Sequence, residues 1–164
     1  MEGIRVRKTY EMFAKTTGVK WKKRTYKSDS WEASDTINQA LSEANAMLYG
    51  VCHAAIVSMG FSPGLGFIHT GKQLSFVYDI ADLYKTETTI PAAFEAVAKG
   101  GDVHKDLRVL CRKYFGIARL MERIPKDLAE LFDDMEGGVN AFFAGNLWSE
   151  DGVVEGGKNY GGGA

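Results

Sequence analysis

One histidine and two aspartates lie close together between Gly66 and Lys85, and their types and spacing suit a divalent metal ion. His69 lies in a glycine-flanked turn, and Asp79 and Asp82 follow in a segment with a helical pattern. A spacing of three places both carboxylates on one helix face. Mg²⁺ or Mn²⁺ takes oxygen ligands, commonly one or two carboxylates, and Mn²⁺ also accepts imidazole. The segment therefore suggests a metal site.

The same two carboxylates also fit a solvent-exposed helix face, which is the commoner role of paired acids. Two features favour the metal site. The acids interrupt an apolar run, Leu74 to Leu83, and the turn that carries His69 directly precedes that run. Phe76, Ile80 and Leu83 recur at intervals of four and three, which predicts a buried stripe beside the acids. The pattern alone leaves both alternatives open.

The length favours a single globular domain, because 164 residues can enclose one core, and a series of helical patterns makes the predicted fold class all-α. We expect this domain to cover residues 1–136 and a glycine-rich, partly disordered tail to cover 137–164. Cys52 and Cys111 lie in apolar helical patterns without metal-motif spacing, which predicts buried thiols in a reducing compartment. No apolar run is long enough for a membrane span, and no signal-peptide pattern is present, so we expect a cytoplasmic protein.

Apolar periodicity predicts six helices, the longest of which should be the central core helix. They cover about Ile4 to Lys15, Ser34 to Met59, the segment of Asp79 and Asp82, Ala92 to Lys99, Val103 to Met121, and Pro125 to Met135.

Basic residues are concentrated near the start of the chain. The segment Lys20 to Ser30 combines them with Trp21 and Tyr26 and has no helical period. It predicts a loop that tracks a phosphate backbone and stacks on bases, or one whose aromatic side chains dock on the core. A second basic face lies on the helix after Val103. That face would keep the helix soluble or guide an anionic polymer.

Three strings of the chain, SDTINQAL, LYGVCHAAI and SPGLGFIHTGKQLSFVYDIADLYK, carry a specific resemblance. They are similar to the CRISPR-associated endonuclease and integrase of spacer acquisition, in its type I-E form, from about Gly3 to about Arg123. The resemblance implies the all-helical catalytic C-terminal domain, with one Mg²⁺ or Mn²⁺ per active site. It implies an enzyme that joins the 3′-hydroxyl of a prespacer DNA to a phosphodiester of the CRISPR repeat. The β-rich N-terminal lobe of the family is absent from this sequence.

By this resemblance His69 and Asp82 are metal ligands, and Asp79 is a supporting catalytic acid. The third ligand of the family is commonly a glutamate, and the resemblance assigns its position to His53. Without the resemblance, a single histidine in a long apolar helix indicates an ordinary core or surface side chain. A histidine ligand also removes one negative charge, which should weaken Mg²⁺ more than a softer ion.

The resemblance also assigns DNA contacts. Lys72 and Tyr78 fall where the family contacts the motif-bearing end of the DNA, and Arg108, assisted by Lys105 and Arg112, where it lines the channel of the single-stranded 3′ end. The alternatives are a buried aromatic for Tyr78 and solvated charges for Lys72 and Arg108. The partners that the resemblance implies are DNA, the small adaptation partner protein of the full-length family and a second copy in a homodimer, and no membrane is expected. A catalytically weak DNA-binding or assembly module is the second hypothesis.

Overall fold

The described part of the protein consists of six α-helices and one short β-hairpin. The computed structural model describes residues 2–24, 35–133, 147–149 and 152–154. The helices are α1 (Glu2–Thr17), α2 (Thr36–Ser58), α3 (Ser75–Asp82), α4 (Thr89–Lys99), α5 (Val103–Ile117) and α6 (Leu120–Asp133), and the strands are β1 (Leu147–Ser149) and β2 (Gly152–Val154). The predicted all-helical fold is confirmed, with the hairpin as an addition that the sequence analysis did not predict.

Helix α2 lies at the centre of the core, as predicted. It begins because Asp35 accepts a hydrogen bond from the backbone N–H of Asn38, 2.9 Å away, which satisfies one free donor of the first turn. Along its length Leu41, Leu48 and Cys52 are fully buried. Helix α2 packs against α3, α4 and α5, and α4 packs against α5 and α1. The α2 residues that contact α3 therefore belong to a helix that is anchored in the core.

The boundary between α5 and α6 differs from the prediction. Helix α5 ends at Ile117 instead of continuing to Met121, because Arg119 takes a positive φ of 50°, which a right-handed helix cannot accommodate. Helix α6 then begins at Leu120, so Pro125 lies inside the helix instead of opening it. The predicted apolar stripe of α3 is also shorter. Leu83, the residue after the end of the helix, is 58% exposed.

The chain divides into two compact units, Met1–Lys126 and Asp127–Ala164. In the second unit β1 and β2 pair antiparallel, with Trp148 opposite Val153. Strand β2 lies in a segment that was expected to be disordered. The predicted domain boundary at 136/137 stays a prediction, and the other tail residues lie outside the described ones. Within the described ranges, no helix has the length and apolar character that a membrane crossing requires.

Candidate functional site

The loop between α2 and α3 carries His69, and the buried carboxylate of Asp79 holds that loop in place. The Asp79 side chain is 6% exposed. One of its oxygens accepts the backbone N–H groups of Phe67 at 2.5 Å and Ile68 at 2.9 Å. The other accepts the backbone N–H of His69 at 2.9 Å and lies 2.6 Å from its Nδ1. Three successive N–H groups therefore converge on one carboxylate, and the imidazole lies beside them.

This arrangement sets the ionisation of Asp79 and the orientation of His69. Burial alone would raise the pKa of Asp79, but the hydrogen bonds from Ile68, His69 and Phe67 outweigh it and lower the pKa. An ionised carboxylate only accepts hydrogen bonds, so Nδ1 of His69 carries the hydrogen and Nε2 is left as the electron-pair donor. A histidine that is oriented by a carboxylate in this way is typical of metal ligands.

Close packing of the loop onto the start of α3 also positions His69. A Cβ atom on Gly66 would overlap the backbone carbonyl oxygen of His69 and would lie 2.7 Å from the carbonyl carbon of Ser75. The Ser75 hydroxyl accepts the Lys72 N–H at 3.1 Å and donates to the Lys72 carbonyl at 2.9 Å. Only a glycine fits at position 66, so this residue type is a condition of the loop geometry.

Asp82 interacts with a lysine that the sequence analysis did not identify. Lys85 Nζ lies 2.5 Å from Oδ1 of Asp82 and 3.0 Å from the hydroxyl of Tyr49, and it also lies 5.0 Å from the centre of the Tyr49 ring. The Lys85 side chain is 16% exposed. Burial alone would lower the pKa of Lys85, but charge interactions and hydrogen bonds with Tyr49 and Asp82 raise it. The spacing of three from Asp82 was visible in the sequence, whereas the contact with Tyr49 was not.

A cavity of about 1060 Å³ brings four of the predicted site residues together: His69, Asp82, Lys72 and Tyr78. Tyr78 is half-buried, and its ring packs edge-on against Tyr49, with 5.0 Å between the ring centres. Tyr78 therefore combines the packing of a core aromatic with a surface that lines the cavity. Cations dominate the charged lining: besides Asp82, it comprises Arg7, Lys22, Lys23, Arg24, Lys72 and Lys85. A cavity with this excess of positive charge suits a phosphate-rich ligand.

The basic wall of this cavity is formed by residues 21–24. The Trp21 ring stacks on Tyr10 with 5.0 Å between ring centres, so the alternative of docking on the core is confirmed for Trp21. Arg24 Nη1 donates to the side chain of Asn38, and Nη2 donates to Ser42. Both contacts tie the wall to α2. Tyr26, the other aromatic residue of the predicted loop, lies outside the described residues.

His53 does not join the other predicted metal ligands. It is exposed on α2, one turn beyond Tyr49, and it does not line the cavity that holds His69 and Asp82. Among the described residues, no group of three or more His, Cys, Asp or Glu side chains is placed to hold a metal ion. The ligand set of His53, His69 and Asp82 therefore stays a prediction. Of these three residues, His53 is the one that does not line the cavity.

The predicted residues on α5 lie elsewhere on the molecule. Arg108 and Arg112 border a second cavity of about 630 Å³, whose lining includes Met47 and Phe115. Lys105 is exposed and does not line it. Arg108 is 71% exposed at its side chain, and its Nε lies 3.7 Å from a carboxylate oxygen of Glu43. The basic face of α5 is thus exposed to solvent, which fits both alternatives of the sequence analysis, a face that keeps the helix soluble and one that guides an anionic polymer.

Glu2 is a candidate third acid that the sequence analysis missed. Val6 and Tyr10 of α1 line the first cavity, and position 2 precedes Val6 by four residues, which places it on the same helix stripe. The glutamates described at side-chain level in the first unit are each engaged elsewhere: Glu11 with Arg7, Glu43 with His104, Glu87 with Arg123, Glu95 with Tyr114 and Glu122 with Arg119. The spacing of Glu2, Val6 and Tyr10 was the available signal.

Comparisons with known proteins agree on one family. The family model of "CRISPR associated protein Cas1" matches residues 1–108. A CRISPR-associated endonuclease Cas1 of Thermus thermophilus is 48% identical over 172 residues, covering 99% of this chain and 52% of that protein. One from Geobacter sulfurreducens is 50% identical over 125 residues, covering 76% of this chain and 41% of that protein. The chain thus spans about half the length of these curated relatives.

The similarity extends to three-dimensional structure. A crystal structure described as a TtCas1–DNA complex superposes with a TM-score of 0.78 at 51% sequence identity, covering 82% of this chain and 51% of the other. A crystal structure of TtCas1 superposes with a TM-score of 0.72 at 49% identity, covering 82% of this chain and 50% of the other. At these identities both the fold and the family relationship are supported.

Proposed function

The chain belongs to the Cas1 family, and we propose that it is the catalytic helical part of a metal-dependent DNA endonuclease and integrase of CRISPR adaptation, of type I-E. One observation carries this proposal. His69, oriented by Asp79, and Asp82 line the same cavity, whose other charged side chains are all cations. Nitrogen and carboxylate donors next to a phosphate-binding surface are what metal-assisted phosphoryl transfer requires. Relatives named as endonucleases and a relative bound to DNA support the same activity.

The donors present in the cavity fit Mg²⁺ or Mn²⁺. His69 offers Nε2, because its Nδ1 is engaged with Asp79, and Asp82 offers the oxygen that does not contact Lys85. A third ligand would come from Glu2 on α1 or from His53 on α2. The carboxylate would favour Mg²⁺, and the imidazole would favour Mn²⁺. When bound, the ion would polarise a non-bridging phosphate oxygen and stabilise the leaving oxygen.

The residues of the chain bind and orient the DNA. Lys22, Lys23 and Lys72 place positive charge along the cavity, where they position the phosphate backbone. Lys85 balances the charge of Asp82, because its Nζ is hydrogen-bonded to that carboxylate, and a bound cation would compete with it. Asp79 keeps His69 in the tautomer whose Nε2 carries the free electron pair. On α5, Arg108 and its basic neighbours provide a separate positive surface for the single-stranded 3′ end.

A nicking and strand-transfer assay tests the proposal. The substrates are a supercoiled plasmid and a branched DNA with a free 3′ end, incubated with Mn²⁺, Mg²⁺ or chelator. We expect metal-dependent nicking or joining that Asp82→Asn abolishes. Full activity of that variant, or activity in chelator, would contradict the assignment. Glu2→Gln and His53→Gln, compared in the same assay, identify the third ligand, since only the residue that binds the ion should be sensitive.

A second candidate function is a DNA-binding or assembly module with little catalysis. It is favoured by the absence, within the described ranges, of a group of three potential metal ligands. This module would bind DNA with strong salt dependence and without a metal effect. A Mn²⁺ titration followed by thermal unfolding separates the two functions, because a bound ion raises the melting temperature. Both candidate functions would involve the same partners, which are DNA, the adaptation partner protein and a second copy of the chain.

A further inference from the structure

An exposed apolar cluster lies on the loop that carries His69. In the described part of the chain, Ile68 and Leu65 are the most exposed large apolar side chains, at 80% and 75%, and Phe67 is 59% exposed. We call these three residues the apolar tip. No other four consecutive positions in the described ranges carry three exposed large apolar side chains. Clustered apolar groups in water commonly mark a contact surface.

The fold holds the apolar tip outward. The backbone N–H groups of Phe67 and Ile68 are fixed on the Asp79 carboxylate. The Phe67 ring packs edge-on against the buried Phe76, with 5.7 Å between ring centres, so the base of the tip is anchored in the core. Burying a large aliphatic side chain is worth about 1.5 to 3 kcal/mol. Leu65 and Ile68 do not obtain this stabilisation, because their side chains remain exposed, although hydrogen bonds hold the backbone of the loop in place.

The position of the apolar tip indicates what it contacts. Ile68 also lines the first cavity, together with His69 and Lys72. A strand whose phosphates follow the basic wall would therefore bring its sugars and bases against Ile68. A stable protein interface needs about 800 Å² from each partner, far more than three side chains supply. Proteins that kink DNA insert Phe, Leu, Ile or Met between base steps and partly unstack the bases, which matches the residue types of the tip.

We propose that the apolar tip packs against an unpaired nucleobase next to the reacting phosphate and keeps that base out of the duplex stack. This inference rests on the proposed DNA function and extends it to a particular part of the substrate. Every base has a π-face that a side chain can pack against, so the contact would tolerate different sequences. The tip would thus favour DNA ends with unpaired bases over continuous duplex.

The test compares two DNAs, one with an unpaired 3′ end and one fully paired and closed at both ends, each with 2-aminopurine as a fluorescent base. We expect Leu65→Gln with Ile68→Gln to bind the unpaired end about tenfold more weakly, with the paired DNA changed by no more than about twofold. When the unaltered protein binds the unpaired end, the fluorescence of 2-aminopurine should rise, and this rise should be lost in the double variant. The salt dependence of binding should be unchanged, because no charge is removed.

Two further variants serve as controls. Met12→Gln removes an apolar side chain of α1 that is 51% exposed and does not line the cavity, and it should leave both affinities unchanged. Lys72→Gln should weaken the binding of both DNAs alike and reduce the slope of log affinity against log salt concentration by about one. Thermal unfolding of each variant confirms that it is folded.

The outcomes separate the inference from the proposed function. If the unaltered protein binds neither DNA, the inference and the proposed DNA function are both wrong. If it binds and the double variant keeps the fluorescence change and the affinity, the inference is overturned while the DNA function stands. If the double variant instead shifts a dimer to monomers in sedimentation, with fluorescence unchanged, the tip faces a second copy of the chain and the inference is also overturned.

Discussion

Replacing Asp79 by asparagine should remove hydrogen bonds that hold the His69 loop against α3. The carboxylate of Asp79 receives four hydrogen bonds, two on each oxygen, from Phe67, Ile68 and His69. An amide has one acceptor oxygen, and its NH₂ group would face the remaining two donors. Hydrogen bonds to a charged group contribute about 1.5 to 3 kcal/mol each. Two lost bonds at the lower value give a destabilisation of about 3 kcal/mol.

The assay is urea and thermal unfolding of Asp79→Asn beside the unaltered protein. For a chain of this length a loss of about 3 kcal/mol lowers the melting temperature by roughly 6 to 12 °C. Glu11→Gln is the control, because Glu11 forms an exposed pair with Arg7 on α1 and should change stability by less than about 0.5 kcal/mol. Nitrogen NMR of His69 gives a second readout, since its preferred tautomer should be lost with the carboxylate.

The effect of Asp79 should also depend on pH. Its pKa in the folded protein is lowered below the value of about 3.9 in the unfolded chain. The carboxylate therefore contributes its full stabilisation above about pH 4, and that contribution is lost as the pH falls through the folded-state pKa. The stability gap between the two proteins should be constant at neutral pH and shrink under acid conditions. A gap below about 0.5 kcal/mol at pH 7, or one that does not change with acid, would refute this reasoning.

Two further predictions concern packing and thiol reactivity. Gly66→Ala should destabilise the protein by about 2 kcal/mol in urea unfolding, because its Cβ would meet backbone atoms. Gly50→Ala, which meets open space on α2, should instead stabilise it by about 0.8 kcal/mol, and equal effects would contradict the packing argument. Burial raises the pKa of Cys52 and of Cys111 to about 12. Both thiols should react with a disulfide reagent at pH 8 in urea but not in the folded protein, and rapid reaction in the folded state would argue against their burial.

Local patterns predicted much of the helical framework. Helices α1, α2 and α4 follow the expected apolar periodicity, and α1 and α4 are followed by Gly18 and Gly100 in the left-handed conformation, at φ 73° and 68°. These features depend on neighbours three to five residues apart, so the sequence displays them directly. The break at Arg119 was missed because Pro125, six residues later, gave a stronger but misplaced signal. Proline is tolerated there within α6.

In the candidate site too, the sequence predicted some features and tertiary packing decided the others. His69, Asp79 and Asp82 lie within fourteen consecutive residues, so their types and spacing alone suggested a common centre, and the loop and α3 bring His69 against Asp79. Tertiary packing alone decided that residues 21–24 form the opposite wall, that Lys85 meets Tyr49, and that His53 lies outside the cavity. These relations join parts of the chain that are up to about sixty residues apart. They depend on how α1, α2 and α3 pack around a shared core, which no local periodicity records.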